Sequence, residues 1–203
     1  MSERIRWLDA APTAASIAEL AGEGVGAIGL PLHGARPEVH EWVAGAPGSF
    51  AQTLAAWTAA RGVGVESIAW TRLTRSNARV LGELPSLLKA RGVTRWAIRV
   101  PRCEGDDWTA TVPRFGLAIP SALAAAERAR RLGIDARIEG APRCVLGRFA
   151  DRALPSAPRA YAPVCDGCPS RARCPGVDPR YLERFGAREL RPAPVAAPIA
   201  AWS

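Results

Sequence analysis

Residues 93–100, VTRWAIRV, form the stretch that decides the fold. Successive residues of a β-strand point to opposite sides, so Trp96 and Ile98 share one face. Arg95 and Arg99 share the other face. A sheet covered by helices on both sides would bury these two arginines, whereas a curved sheet can keep an apolar convex face and a polar concave face. The stretch therefore predicts a partial barrel, with Arg95 and Arg99 as possible ligand contacts on its concave face.

Strand and helix patterns alternate on both sides of this stretch. Short β-rich runs occur at residues 4–9, 25–32, 63–73 and 134–140, and helical patterns occur at 13–24, 46–62, 77–92 and 120–133. Strand–helix repeats of about 30 residues with short Gly-terminated connections imply right-handed βαβ units and a parallel sheet. We therefore expect residues 1–142 to form an α/β half of a TIM-like barrel, with about five parallel strands and helices on the convex face.

The composition changes after residue 142. Residues 141–180 carry seven prolines and little hydrophobic periodicity, so this part of the chain cannot build much of a core by itself. We expect a loop-rich cysteine module over residues 143–190. Residues 191–203 are rich in Pro and Ala and are expected to be a disordered tail.

The module holds four of the five cysteines, Cys144, Cys165, Cys168 and Cys174, with the spacing C-x20-C-x2-C-x5-C. Two thiolates separated by a turn at Gly167 can reach one metal centre, and such a centre can staple a segment that lacks a core. Four thiolates suit a [4Fe–4S] cluster or Zn²⁺. The single cysteine pair, the Pro or Gly that follows a cysteine and the nearby arginines favour the cluster. Zinc, free thiols and disulfides are the alternatives.

Other candidate residues lie outside the module. Cys103 follows the 93–100 stretch and is expected to be a small loop or core residue rather than a fifth ligand or a reactive thiol. His33, His40 and Asn77 are possible ligand contacts on the concave face. Two histidines without a third ligand at metal spacing favour polar loop residues over a metal site. The sequence contains no Gly-rich phosphate loop and no G-x-S-x-G motif.

The bulk composition excludes several function classes. The formal net charge is +8, but Lys89 is the only lysine among 27 basic residues and the arginines are scattered. This pattern indicates codon bias more than a phosphate-binding surface, so nucleic acid is not expected as a partner. No apolar run reaches membrane-helix length, and the N-terminus lacks a signal peptide. A cytoplasmic, reducing location follows as the expectation, in which disulfides are rare.

Three stretches resemble the later half of the barrel of radical S-adenosylmethionine enzymes. They are LPLHGARPEVHEWVAGAPGSFAQTLAAW at 30–57, TRLTRSN ending at Asn77, and LPSLLKARGV at 84–93. The cysteine tail in turn is similar to the auxiliary-cluster extension of these enzymes, of the SPASM or twitch type. The matching residues are Cys165, Cys168, Cys174, Gly176, Val177, Tyr181, Phe185 and Gly186. The resemblance implies that Cys144 is the fourth ligand of a cluster that passes electrons or anchors a peptide substrate.

The resemblance stops at the reaction centre. The C-x3-C-x2-C triad that holds the S-adenosylmethionine-cleaving cluster in these enzymes has no counterpart among the five cysteines. The resemblance therefore implies a fold and a cluster, and it leaves open whether the chain is an enzyme. S-adenosylmethionine would bind only if a partner supplied the missing half-site. Because an open half barrel exposes an unpaired strand edge, we expect a protein partner, either a separate N-terminal half barrel or a second copy.

The main hypothesis is thus an electron-transfer or structural half of a radical S-adenosylmethionine enzyme system. One alternative is a non-catalytic accessory protein that binds a peptide or acidic ligand on the concave face. The other alternative is an α/β domain stapled by Zn²⁺.

Overall fold

Six parallel strands lie side by side in the order in which they follow one another in the chain. The computed structural model describes residues 4–157, 159–194 and 202. The strands are Ile5–Trp7 (β1), Ala27–Pro31 (β2), Glu66–Arg72 (β3), Arg95–Arg99 (β4), Asp135–Glu139 (β5) and Ala153–Leu154 (β6). Each strand pairs only with its sequence neighbours, and the sheet curls into the half barrel that the sequence predicts.

Helices connect the strands. They are Ala14–Gly22 (α1), Pro37–Ala44 (α2), Ser49–Gly62 (α3), Leu84–Ala90 (α4), Trp108–Thr111 (α5), Phe115–Arg131 (α6), Arg143–Leu146 (α7) and Pro179–Phe185 (α8). The sequence patterns predict α1, α3, α4 and α6, whereas α2 lies in a stretch without a clear helical period. Across the described ranges, no helix combines the length and the apolar character needed to cross a membrane.

The hydrophobic core lies between the convex face of the sheet and the helices. Trp96 and Ile98 are both 0% exposed and belong to this core, as their shared face in the sequence predicts. Helix α6 packs against the sheet with a row of alanines, among them Ala118, Ala122 and Ala129, which are at most 1% exposed. Their small side chains allow the helix to approach the strands closely.

The opposite, concave face carries polar and aromatic side chains in register. Two rows cross β3, β4 and β5: Trp70, Ala97 and Arg137, then Arg72, Arg99 and Glu139 nearer the carboxyl ends. On β2, Gly29 leaves room for the ring of Trp7, because a Cβ atom at Gly29 would lie 2.1 Å from Trp7 Cε3. The indole of Trp7 therefore lies flat against β2 at one edge of the concave face.

The sheet has six strands rather than the five expected. The additional strand, β6, consists of Ala153 and Leu154 and pairs with β5 inside the segment assigned to the cysteine module. Two residues followed by Pro155 carry no alternating pattern, so the sequence gives no strand signal there. The predicted module boundary coincides with the start of α7, but β6 then adds to the sheet. Helix α8 also packs on the barrel, with the ring of Tyr181 stacked 4.3 Å from that of Phe115.

The predicted tail falls largely on residues 195–201 and 203, which lie outside the described residues. Trp202 is described and lies on the concave face. Its ring stacks on Trp7 at a centroid distance of 6.2 Å, and its Nε1 donates to Asp135 Oδ2 at 2.8 Å. The guanidinium of Arg137 lies 5.4 Å from the centroid of the same ring. Trp202 therefore bridges β1 and β5 across the half barrel.

Candidate functional site

The four cysteines of the module line one small cavity, which we call the cysteine cavity. Cys144 lies in α7, Cys165 ends a 3₁₀ turn, Cys168 follows a tight turn, and Cys174 follows a second 3₁₀ turn. All four thiols are free, so these described cysteines form no disulfide with one another. The cavity volume of about 20 Å³ is just enough to admit one water molecule and is too small for an organic ligand.

Backbone hydrogen bonds within the module direct two of these side chains. The N–H of Cys168 donates to the carbonyl of Cys165 at 3.1 Å, and the N–H of Arg171 donates to the carbonyl of Cys168 at 3.0 Å. Gly167, between the two cysteines, has a φ of +71°, which lies in the left-handed region that favours glycine. The resulting turn brings Cys165 and Cys168 to the same cavity.

Two backbone N–H groups point at cysteine sulfurs. Arg143 donates to Cys174 Sγ at 3.4 Å, and Ala193 donates to Cys168 Sγ at 3.4 Å. Hydrogen bonds of this kind stabilise the charge of a thiolate ligand. Burial raises the pKa of the Cys144 thiol above its ordinary value. A metal centre would therefore have to displace a proton from this thiol on binding.

Among the residues that the structure describes, three arginines and no carboxylate line the cysteine cavity: Arg143, Arg171 and Arg191. Arg143 is 1% exposed, and its guanidinium donates to the carbonyls of Ala150 and Arg173. A guanidinium beside the four thiols would offset part of the negative charge of a bound centre. The surroundings of the cavity are therefore suited to a centre with net negative charge.

The arrangement of the thiols differs from that of a single-ion site. Within the described ranges, no group of three or more His, Cys, Asp or Glu side chains could hold a metal ion as they stand. A tetrahedral Zn²⁺ with Zn–S bonds of 2.3 Å places its sulfurs about 3.8 Å apart. The four thiols thus line a common cavity without forming a metal-ion site as they stand.

His33, His40 and Asn77 lie in a buried network instead of facing a ligand. Each is at most 3% exposed. The Nδ1 of His40 accepts from the His33 N–H at 3.0 Å, and the Nδ1 of His33 accepts from the Arg72 N–H at 3.3 Å. The Asn77 amide donates to the carbonyls of His33 at 2.9 Å and Arg72 at 2.7 Å. These side chains join the loops that follow β2 and β3.

Burial is the main reason that the pKa of His33 falls to about 3, and the charges of His40 and Arg72 lower it further. Burial also lowers the pKa of His40. Both imidazoles are therefore neutral at physiological pH, as their acceptor roles require.

Arg95 and Arg99 both lie on the concave face, where each meets a carboxylate. Arg95 Nε donates to Glu66 Oε1 at 2.8 Å, so this guanidinium is held within the sheet. Arg99 Nε donates to Glu139 Oε2 at 2.8 Å. The Arg99 guanidinium also lies between two indoles, 4.2 Å from the ring centroid of Trp7 and 4.9 Å from that of Trp70.

A larger cavity of about 610 Å³ lies at the carboxyl ends of β3, β4 and β5. We call it the arginine cavity because Arg72, Arg99, Arg102 and Arg159 all line it. Its volume is that of a small-molecule site. The carboxyl end of the strands is also where barrel proteins bind their ligands. Of the ligand contacts predicted from the sequence, only Arg99 reaches this cavity.

Sequence reasoning missed Arg72, Arg102, Arg159 and Trp202. Arg72 ends β3 just as Arg99 ends β4. Because barrel proteins bind ligands at the carboxyl ends of their strands, the position of Arg72 could have identified it as a candidate. Arg159 and Trp202 belong to stretches without a periodic pattern. No local signal in the sequence shows where these two side chains contact the barrel.

Cys103 is buried near the arginine cavity and lies outside the cysteine cavity. Its N–H donates to Asp178 Oδ2 at 3.1 Å, and its carbonyl accepts from Arg180 Nη1 at 2.9 Å. Burial and the nearby Asp178 carboxylate raise the pKa of its thiol to about 12. The residue is a small core residue, as expected, and is not reactive as a thiolate.

Comparison with known proteins supports the fold alone. No protein-family model matches the chain, and no curated protein matches its sequence. A domain of a pyruvate-formate lyase-activating enzyme from Bacteroides vulgatus is similar in structure, with a TM-score of 0.50 and 10% identity. The similarity covers 67% of this chain and 80% of that domain.

Two pneumococcal structures are also similar in fold. Both are structures of the exo-β-D-N-acetylglucosaminidase StrH, with TM-scores of 0.55 and 0.53 and 9% identity. They cover 91% of this chain, while the chain spans only 64% and 63% of their length. At this level of identity the likeness is one of barrel architecture.

Proposed function

We propose that this chain is an iron–sulfur protein that binds one [4Fe–4S] cluster through Cys144, Cys165, Cys168 and Cys174. The observation that carries the proposal is the convergence of four free thiols on one small cavity lined by arginines. A cluster of this kind supplies one-electron transfer when bound. The protein's own residues would ligate it, offset its charge and order the loop-rich module.

The sequence spacing of the thiols supports a cluster over zinc. One cysteine pair and two single cysteines differ from the two paired knuckles that structural zinc sites usually present. A [4Fe–4S] cluster takes one thiolate at each of four corners of a larger core. The buried guanidinium of Arg143 and the N–H···S bonds also suit an anionic centre.

We further propose that the chain acts as the electron-transfer or structural half of a radical S-adenosylmethionine enzyme system. The half barrel and the sequence resemblance support this role. In this proposal a protein partner supplies the missing triad, and S-adenosylmethionine binds only in the assembled pair. The partner would be an N-terminal half barrel or a second copy, at the edge formed by β1 or β6 in the described sheet.

A second candidate function is favoured by the arginine cavity. A non-catalytic accessory protein could hold a peptide or acidic ligand there without any cleavage of S-adenosylmethionine. An assay of reductive S-adenosylmethionine cleavage, with and without a candidate partner half, separates the two. Cleavage by the pair supports the enzyme system, and ligand binding without cleavage supports the accessory role.

The cluster is tested by metal analysis of protein purified and reconstituted without oxygen. We expect four iron and four sulfide per chain, and a visible absorption that bleaches with dithionite. Cys168→Ser should lose the cluster because it removes one of four ligands. Cys103→Ser is the matched control and should keep it, since Cys103 lies outside the cysteine cavity. One zinc per chain and no iron would replace the cluster proposal with the zinc-stapled alternative.

A further inference from the structure

The strongest unassigned feature is the environment of Arg159 in the arginine cavity. Arg159 is half-buried, and its Nε is fully shielded from solvent without a hydrogen-bond partner. No described residue accepts a hydrogen bond from this Nε, although the charges of Asp178 and Glu139 act on the same guanidinium. An unsatisfied buried donor is unfavourable by itself, and at a ligand site it is satisfied by the ligand.

The backbone around Arg159 is built to hold its guanidinium. Gly140 follows β5 with a φ of +79°, and a Cβ atom there would lie 2.8 Å from Arg159 Nη2. The absence of a side chain at Gly140 therefore makes room for the guanidinium. The N–H of Arg159 donates to the carbonyl of Pro175 at 2.8 Å, which anchors this segment beside the cysteine module.

The charges around the cavity indicate what binds there. Burial lowers the pKa of Arg159, and the like charge of Arg102 lowers it further, while the charges of Asp178 and Glu139 offset part of this effect. The guanidinium groups of Arg159 and Arg102 therefore repel each other. An anion between them removes that repulsion. Arg72 lines the same cavity. Arg99 lines it too but already pairs with Glu139, so Arg72, Arg102 and Arg159 remain for a ligand, with Arg159 and Arg102 close enough to repel each other.

Carboxylates around the arginine cavity restrict which anions can bind there. Asp9, Glu104 and Asp107 line its outer part and are exposed. They would repel an extended polyanion such as a nucleic acid while leaving the half-buried Arg159 open to one small anionic group.

We propose that the arginine cavity binds a small molecule through a carboxylate or phosphate group held by Arg159 and Arg102. Arginine presents parallel N–H donors that match both kinds of oxyanion. The cavity volume of about 610 Å³ accommodates a metabolite-sized ligand. None of the four cysteines lines this cavity, so the inference does not specify which inorganic centre the module holds.

The test is a titration of the full-length protein with succinate and with inorganic phosphate, followed by ligand NMR and calorimetry. Succinamide, which is neutral and of similar shape, is the ligand control. We expect saturable binding of at least one anion and none of succinamide. Binding of succinate alone identifies a carboxylate site, and binding of phosphate alone identifies a phosphate site.

Matched variants assign the binding to this cavity. Arg159→Gln should weaken anion binding about tenfold or more, because it removes a charge-assisted donor pair. Arg131→Gln is the control, since Arg131 is 72% exposed on α6 and pairs with Glu127. Arg102 lies on the exposed rim of the cavity, and Arg102→Gln should also weaken anion binding. This second variant tests the proposal if Arg159→Gln does not fold. The proposal is overturned if neither anion binds saturably, or if Arg159→Gln and Arg102→Gln bind as tightly as the control.

Discussion

At the scale of single residues, the most informative positions are those whose neighbours come from distant parts of the chain. His33 lies at the end of β2, but its Nδ1 accepts from the N–H of Arg72, 39 residues later. The sequence predicted both His33 and His40 to be polar loop residues, which is right for His33 but wrong for His40, since His40 lies in α2. It could not show that they face each other in a buried network, because that depends on how the loops after β2 and β3 meet.

The buried His33 makes stability depend on pH. Its pKa is about 3 in the folded chain and 6.5 when unfolded, so the unfolded state binds the extra proton as pH falls below 6.5. The stabilisation is full above pH 6.5 and is lost at up to about 1.4 kcal/mol per pH unit as pH decreases toward 3. Urea unfolding between pH 7 and 4.5 should show this slope. His33→Asn, which cannot titrate, should reduce the slope, and an unchanged slope contradicts the assignment.

Gly29 is required by the ring of Trp7. A Cβ atom at Gly29 would lie 2.1 Å from Trp7 Cε3, so Gly29→Ala must displace the indole. We expect Gly29→Ala to lower the free energy of unfolding by about 1–3 kcal/mol. Gly22→Ala is the control, because no atom lies within 4 Å of its Cβ position. Equal stability of the two variants in chemical denaturation would mean that Trp7 is not held against β2.

At the scale of elements, the sequence predicted those whose side-chain pattern is long enough to repeat. The alternation in β4 gave the correct faces, with Trp96 and Ile98 in the core and Arg99 on the concave side. β6 was not predicted, because two residues are too few to show an alternating pattern. Helix α2 was not predicted either, because its only buried residue is His40 and it therefore has no apolar stripe.

Among the contacts that join helix α8 to the barrel is a hydrogen bond made by one hydroxyl group. The Tyr181 hydroxyl accepts from the N–H of Phe115 at 2.8 Å and hydrogen-bonds to Glu189. Burial and the Glu189 carboxylate raise the pKa of this phenol, so it stays protonated across the physiological range. The first turn of α6 is thus fixed by a residue of the module.

Removing the Tyr181 hydroxyl should weaken the contact between α8 and the first turn of α6. Tyr181→Phe leaves a buried N–H of Phe115 without its acceptor, and we expect a loss of about 1–3 kcal/mol in the free energy of unfolding. Tyr161→Phe is the comparison, because its hydroxyl bonds the Cys174 carbonyl at a half-exposed site and should cost about 1 kcal/mol or less. A larger loss in Tyr161→Phe than in Tyr181→Phe, measured by thermal unfolding, contradicts the ranking.

At the scale of the whole molecule, the half barrel is closed on its concave side by Trp202. This indole contacts Trp7 on β1 and Asp135 on β5, so it spans the opening between distant strands. The hydrogen bonds from Arg137 and Trp202 lower the pKa of Asp135 in spite of its burial. The sequence predicted the class of fold and its curvature, but not the contact of Trp202 with Asp135, which lies 67 positions earlier in the chain.

Removing the Trp202 indole should reduce the stability of the barrel. Trp202→Ala loses the stacking on Trp7 and the hydrogen bond to Asp135, and we expect the free energy of unfolding to fall by about 2 kcal/mol. Trp42→Ala is the control, because Trp42 is 78% exposed on α2. If both variants unfold at the same denaturant concentration as the parent chain, Trp202 does not close the barrel.

The consecutive strand order has a consequence for how the protein is made. Because every strand pairs with the one synthesised just before it, the sheet can grow one strand at a time as the chain leaves the ribosome. Trp202 follows both β1 and β5 in the chain, so its contacts with Trp7 and Asp135 can form only after these two strands have been synthesised. The indole that bridges the concave face is therefore added to a sheet whose first five strands are already available for pairing.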